Sequence, residues 1–306
     1  MASIFENTHS KVTVHILHDD TLTDDNRQKF IRTAEKYSQG LELHDVTGYR
    51  EELSKFTVKP SRLSVGVLYR LIIHEVLDVD KVILLDCDIT FNLDIKELWE
   101  IDTDGKILAG VWSYGGREIW PERAIEARIL GVDLKKYLNL GVVVMNLAGI
   151  REGFDFTEKW KDYLLRHKRV MVLPDEMAYN FVFAGNIKFI DERFNRFILD
   201  KDLSDCIIHT FMAKPWLGIT GLKSERWYWK YYLRSAWGEN STADDIIDIM
   251  SEISAKNKPA RQSVLRRAVL YISRKIGGSY PVLRVILMFR DILDRLTYRL
   301  TRKNTA

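Results

Sequence analysis

Short apolar runs alternate along this chain with longer segments whose apolar residues recur at helical spacing, from Val12 to about Trp237. The first run, "KVTVHILH", predicts a buried strand, and the segment behind it a helix from about Asp24 to Gln39. Thr23 is the expected N-cap of that helix and Gly40 its stop. "LELHDV" predicts a short strand, and "VGVLYRLIIHEVL" a helix leading into the strand "KVILLD". "KILAGV" and "VVVMN" predict further strands, "EKWKDYLLRHK" a helix, and "DEMAYNFVF" a shorter helix opened by Pro174. Then come "IKFI", "CIIH" and an aromatic helix, "SERWYWKYYLRSAW". Alternation of this kind predicts an α/β protein, a mostly parallel sheet with flanking helices.

The pattern changes near 255–262, where "AKNKPARQ" reads as a linker. Residues 1–240 are expected to form the body, and 241–306 a helical, basic, amphipathic C-terminal extension. In the extension, Leu265, Val269, Ile272 and Ile276 form one apolar stripe, and Val282 to Leu296 a second one beyond "GGSYP". From Arg261 onward eleven Lys/Arg face two Asp, a surplus of nine; the net charge is only +3, so the rest carries −6. Such a segment either packs as a hairpin on its own body or lies on an anionic membrane surface through residues 261–303. No known nucleic-acid motif accompanies the charge, so a nucleic-acid partner is not expected.

With 46% hydrophobic and 29% charged residues the body has the composition of an ordinary globular protein. Cys87 and Cys206 are too few for a disulfide framework and match no zinc-ligand spacing, which points to a reduced, cytoplasmic setting. "MASIFENTHSK" does not resemble a signal peptide, and no apolar run reaches the roughly 18 residues of a membrane span.

The run Val82 to Leu85 ends in Asp86 and Asp88. Alternate strand residues project to one side, so both carboxylates leave the strand end together. Held that close they repel, unless a cation sits between them or one keeps its proton. Open α/β sheets bind ligands at this end of their strands. "DCDIT" resembles the DxDx[T/V] motif of haloacid-dehalogenase-type phosphatases, which would make Asp86 a nucleophile and Asp88 a general acid. That family also needs a downstream acidic pair after a strand; here Asp244, Asp245 and Asp248 lie in a helix-like stretch.

A second resemblance covers most of the chain, from about Val12 to Trp237. "LLDCDI", "LNLGVVVMNL", "LPDEMAYNFVFAGNIKFIDERFN" and "IIHTFMAKPW" stand in the order and spacing of family 8 retaining glycosyltransferases. That family includes bacterial lipopolysaccharide galactosyl- and glucosyltransferases and glycogenin. The resemblance implies a GT-A fold, a Rossmann-like sheet with flanking helices. It also implies transfer of a hexose, galactose or glucose, from a UDP-sugar to a glycan, glycolipid or glycoprotein acceptor. A Mn²⁺ ion, or Mg²⁺, would be held by Asp86, Asp88 and His209. Oxygen donors with one imidazole suit those ions, and the lack of thiolates argues against zinc there. Cys87 would point away from the ion in a structural role, and the other six histidines would play ordinary structural or solvated parts.

By the same resemblance, Arg70 would reach the donor sugar and the metal-side acids, and Asp86 would serve donor binding as well as the ion. Asn139 would contact the donor sugar, Gly141 would permit close backbone approach, and Lys214 would meet the departing phosphate, where negative charge grows. Pro215 and Trp216 would close that loop. Asp175 would orient the donor sugar, with Glu176 beneath the anomeric carbon, where the family commonly has glutamine. A carboxylate there would stabilise an oxocarbenium-like transition state or attack it; same-face attack is the other route to retention. The expected setting is the cytoplasm, peripheral to the inner face of the membrane. Family members begin with a strand and a nucleotide-gripping loop, whereas "MASIFENTHSK" matches only the tail of the helix that follows. Weak uridine nucleotide affinity is therefore expected, and a catalytically impaired donor-binding or scaffold protein is the alternative reading.

Overall fold

The computed structural model describes residues 1–57, 64–113, 136–167, 173–196, 202–210, 215–217, 224–242, 244, 245 and 248. The chain opens with a short helix, α1 (Ala2–Glu6), whose first four residues are buried. Strand β1 (Thr13–His18) and strand β2 (Gly40–Asp45) flank helix α2 (Asp24–Lys36) and pair in parallel. Thr23 caps α2 as expected, its side chain accepting from the Asn26 amide. The helix stops earlier than expected, at Lys36, and Ser38 takes the left-handed turn at φ 53°. Gly40 is the first residue of β2 instead of the helix stop. A Cβ there would lie 2.6 Å from Thr13 Oγ1 and 3.1 Å from Thr13 Cα, so the close approach of the two strands favours glycine.

After helix α3 (Arg50–Ser54), "VGVLYRLI" winds as a 3-10 helix over Val65–Ile72 before one α turn, α4 (Ile73–Val76). Three residues per turn align Val65, Leu68 and Leu71 on one side. Strand β3 (Lys81–Leu85) leads through Asp86 and Asp88 to strand β4 (Ile89–Phe91), then helix α5 (Ile95–Trp99) and strand β5 (Leu108–Trp112). Strand β6 (Leu138–Asn146) is nine residues long and wholly buried up to Met145. It is followed by helices α6 (Leu147–Gly153), α7 (Phe156–His167) and α8 (Pro174–Val182). Strand β7 (Ile187–Phe189), strand β8 (Ile207–His209) and the aromatic helix α9 (Ser224–Tyr232) complete the described elements.

The central sheet has the order β3-β6-β5-β7 and is mixed, a correction to the mostly parallel expectation. β6 runs antiparallel to both β3 and β5, β5 and β7 are parallel, and β4 pairs antiparallel with β8. Apolar patterning records which residues are buried, not the direction in which a strand is entered, so the sequence carried no sign of this.

The sheet separates two cores. Val82 and Leu84 of β3, Val143 and Met145 of β6, and Leu17 of β1 pack on one side. Ile83 and Leu85, Val142 and Val144, and Val14 of β1 pack on the other. β1 thus lies in the same layer as β3, yet no ladder joins them among the described residues. β1 was expected to be buried; four of its six residues are instead half-buried, as is every residue of β3. The break is braced at one end by neighbours in the 3-10 helix: the Tyr69 hydroxyl donates to Asp19 just past β1, and Arg70 binds Asp86 just past β3.

Candidate active site

The elements around the end of β3 bring their polar side chains together there. Asp86 leaves β3, and its amide donates to the Gly141 carbonyl of β6 (2.8 Å). Asp88 opens β4, whose pairing with β8 sets Ile89 opposite His209. His209 Nε2 consequently lies 3.4 Å from Asp86 Oδ2 and 3.3 Å from Asp88 Oδ1. The three expected metal ligands are therefore brought together, with ligand atoms within 4.8 Å of one another.

A relay of amides orients the His209 ring. Asn195 Nδ2 donates to Asn139 Oδ1 (2.8 Å), which also accepts from the Gly141 amide (2.9 Å). Asn195 Oδ1 is left as the acceptor for His209 Nδ1–H at 2.9 Å. The Nε2 lone pair then points at the two carboxylates, the usual arrangement of a metal-binding histidine and its supporting partner. A lone pair facing two carboxylate oxygens is repulsive; a second ring proton or a divalent cation relieves it, and the cation does so for all three atoms. Two carboxylates and one imidazole are a donor set that suits Mn²⁺ or Mg²⁺. Gly141 leaves room for the ring, because a Cβ there would stand 2.5 Å from His209 Cε1.

Arg70 links this cluster to α8. Its guanidinium meets Asp86 Oδ1 at 2.5 Å and Asp175 Oδ2 at 3.2 Å. Burial opposes its charge, but Asp175 and Asp86 outweigh burial and raise its pKa. Tyr179 fixes the backbone beneath it by donating to the Arg70 carbonyl (2.7 Å). Pro174 starts α8, as expected, and puts Asp175 and Glu176 in its first turn, where the helix dipole favours anions. Burial nevertheless pushes the Asp175 carboxyl above the ordinary range, against the pull of Arg70. Glu176 Oε2 accepts from Asn139 Nδ2 and the Leu140 amide, both at 3.2 Å. Asn180, one turn on, holds the start of β6 by accepting from the Leu138 amide (2.7 Å).

Every expected site residue among those described thus converges: Arg70, Asp86, Asp88, Asn139, Gly141, Asp175, Glu176 and His209. Lys214 lies outside the described residues, while Trp216 meets Tyr228 with tilted rings, centroids 5.3 Å apart. Cys87 is exposed, not packed in the structural role expected of it, while Cys206 is buried and its thiol is pushed up to about 11 by burial. Asn195, Asn180 and Tyr179 were not singled out from sequence. The available signal for Tyr179 and Asn180 was their place as polar residues inside the otherwise apolar "MAYNFVF"; Asn195 stands among charged residues and carried none.

The glycosyl transferase family 8 model matches residues 1–219. A putative glycosyltransferase of Haemophilus influenzae is 27% identical over 204 residues, covering 66% of this chain and 59% of its own. The lipopolysaccharide 1,2-glucosyltransferase of Escherichia coli is 23% identical, covering 79% and 74%. A probable galacturonosyltransferase-like protein of Arabidopsis thaliana is 29% identical over 166 residues, 47% of each chain. The chain thus spans about half to three-fifths of the length of the Arabidopsis and Haemophilus relatives. Among solved structures, the galactosyltransferase LgtC with donor and acceptor sugar analogs has a TM-score of 0.63 at 19% identity, over 79% of this chain and 90% of that one. GlyE of Streptococcus pneumoniae has a TM-score of 0.54 at 18% identity, over 84% and 59%. These likenesses establish the GT-A fold, and the match over residues 1–219 places the chain in glycosyltransferase family 8.

Proposed function

We propose that this protein is a retaining hexosyltransferase, moving galactose or glucose from a UDP-sugar to a glycan, glycolipid or glycoprotein acceptor with Mn²⁺ or Mg²⁺. The convergence of Asp86, Asp88 and His209 Nε2 beside the Arg70–Asp175 pair carries this reading. Asp86, Asp88 and His209 would hold the ion, which when bound supplies positive charge to a diphosphate leaving group. The protein's own residues do the rest. Arg70 holds Asp86 and Asp175 in fixed relation and presents its remaining N–H groups to the donor. Asp175 and Asn139 orient sugar hydroxyls, and Gly141 permits their close approach. Glu176, held at Oε2 by two donors, lies beneath the anomeric carbon and stabilises positive charge as the glycosidic bond breaks. Lys214 neutralises the departing phosphate.

Relatives named for glucosyl and galacturonosyl transfer differ in donor, so the test must span donors. Slow hydrolysis of UDP-galactose, UDP-glucose and UDP-galacturonic acid is followed with and without Mn²⁺. UDP release that needs the metal and is lost in Asp88→Asn supports the reading. Phosphate release from monoesters would instead favour the phosphatase reading, and neither activity a donor-binding scaffold. A glycolipid acceptor and the basic stretch at 261–303 together favour action at the cytoplasmic membrane face. Cosedimentation with anionic vesicles should weaken when residues after Lys258 are removed; equal binding would reject that placement.

A further inference from the structure

A second cluster of metal-binding side chains lies away from the active site, on the β1–β2 ladder. The parallel register sets His15 opposite Glu42 and Leu17 opposite His44. Side chains two apart on a strand share a face, so His15, Glu42 and His44 emerge together. His15 Nδ1 is 3.0 Å from His44 Nε2 and 3.3 Å from Glu42 Oε2. The same carboxylate oxygen is 3.7 Å from His44 Nε2. The ring centroids are 5.3 Å apart and the planes 27° from parallel, so the two rings meet edge to edge with these nitrogens between them.

Ligands about 2.0–2.1 Å from a tetrahedral ion are roughly 3.3 Å apart. The three edges here, 3.0, 3.3 and 3.7 Å, bracket that value. Hydrogen bonding alone serves the triangle poorly. A single ring proton between the imidazoles satisfies one edge well and leaves the accepting nitrogen, whichever ring donates, facing the carboxylate. A cation at the centre satisfies all three edges. We propose that His15, Glu42 and His44 form a second metal site, one that takes Zn²⁺.

The donor sets of the two clusters differ in kind. Two imidazoles and one carboxylate favour Zn²⁺, whereas two carboxylates and one imidazole accommodate Mn²⁺ or Mg²⁺. The His15 and His44 side chains are 19% and 22% exposed and that of Glu42 57%, which leaves a water-accessible fourth position. Zn²⁺ there ties β1 to β2, the ladder that no described strand joins to the central sheet. The inference is independent of the proposed transferase activity.

Calorimetric titration of the chelator-treated full chain with Zn²⁺ tests it. The expected uptake includes one equivalent at His15, Glu42 and His44, which Asp88→Asn retains. His15→Ala and His44→Ala each abolish that equivalent and leave Mn²⁺ binding intact. Unchanged uptake in both histidine variants overturns the proposal, as does a parent uptake that Asp88→Asn removes completely. Should the histidine variants not fold, ring-proton NMR of the Asp88→Asn protein decides. Zn²⁺ is expected to shift the His15 and His44 signals, and unshifted signals overturn the site.

Discussion

Gly141 is the smallest member of the proposed active site, and its lack of a side chain is what admits a neighbouring ring. Its absent side chain is the space that the His209 ring occupies, so Gly141→Ala must displace either the ring or β6. Overpacking of this kind costs about 1–3 kcal/mol. The expected outcome is a lower midpoint in denaturant unfolding together with weaker Mn²⁺ binding by calorimetry. Gly153, with nothing within 4 Å of an added Cβ, should tolerate alanine without either change. Asp175 tests the electrostatics. Burial raises its folded pKa above the unfolded value, so the native state holds the proton more tightly and stability falls as pH rises through that window. Asp175→Asn removes this loss, and Arg70 keeps Asp86 as its partner. The variant's melting temperature should exceed the parent's at pH 7, with the gap closing toward pH 4, while transfer falls roughly a hundredfold. A gap that does not change with pH would remove the assigned cause. Asp86, Asp88 and His209 were legible in the sequence because each ends a short apolar run. Asn195 was not, since its role depends on a ring 14 residues away whose orientation only the folded relay reveals.

At the scale of elements, β3 and β6 carry similar apolar runs but differ in what lies beside them. β6 has a strand on each side, β3 on one side among the described residues. Amides of β3 that face away from β6 should therefore exchange with solvent faster than those of β6, and hydrogen exchange read by NMR measures this directly. Equal protection would mean that another segment covers the edge. The positions of the strands were readable from apolar runs bounded by polar residues; their pairing was not. Whether β6 enters parallel or antiparallel depends on the path between β5 and β6, and no local pattern encodes that. The stretch Val65–Ile72 was read as an α-helix because its residues are apolar on nearly every side, a composition that does not distinguish 3.6 from 3 residues per turn. The meeting of His15 with Glu42 and His44 is likewise a matter of register between strands, invisible until the ladder is aligned.

For the molecule as a whole, the charge is divided between residues 1–260 at −6 and residues 261–306 at +9. Among the described residues no helix is long and apolar enough to cross a membrane. The expected division at residue 240 and the helices beyond it fall almost wholly outside the described residues. The described part has one mechanical peculiarity. Tyr69 and Arg70 are consecutive, yet one holds the carboxyl end of β1 and the other that of β3. A substrate that pulls on the guanidinium therefore also loads the phenol next to it and, through Asp19, the first ladder. Occupancy at the catalytic end would then be sensed in the N-terminal third of the chain, as slower cleavage there by a protease.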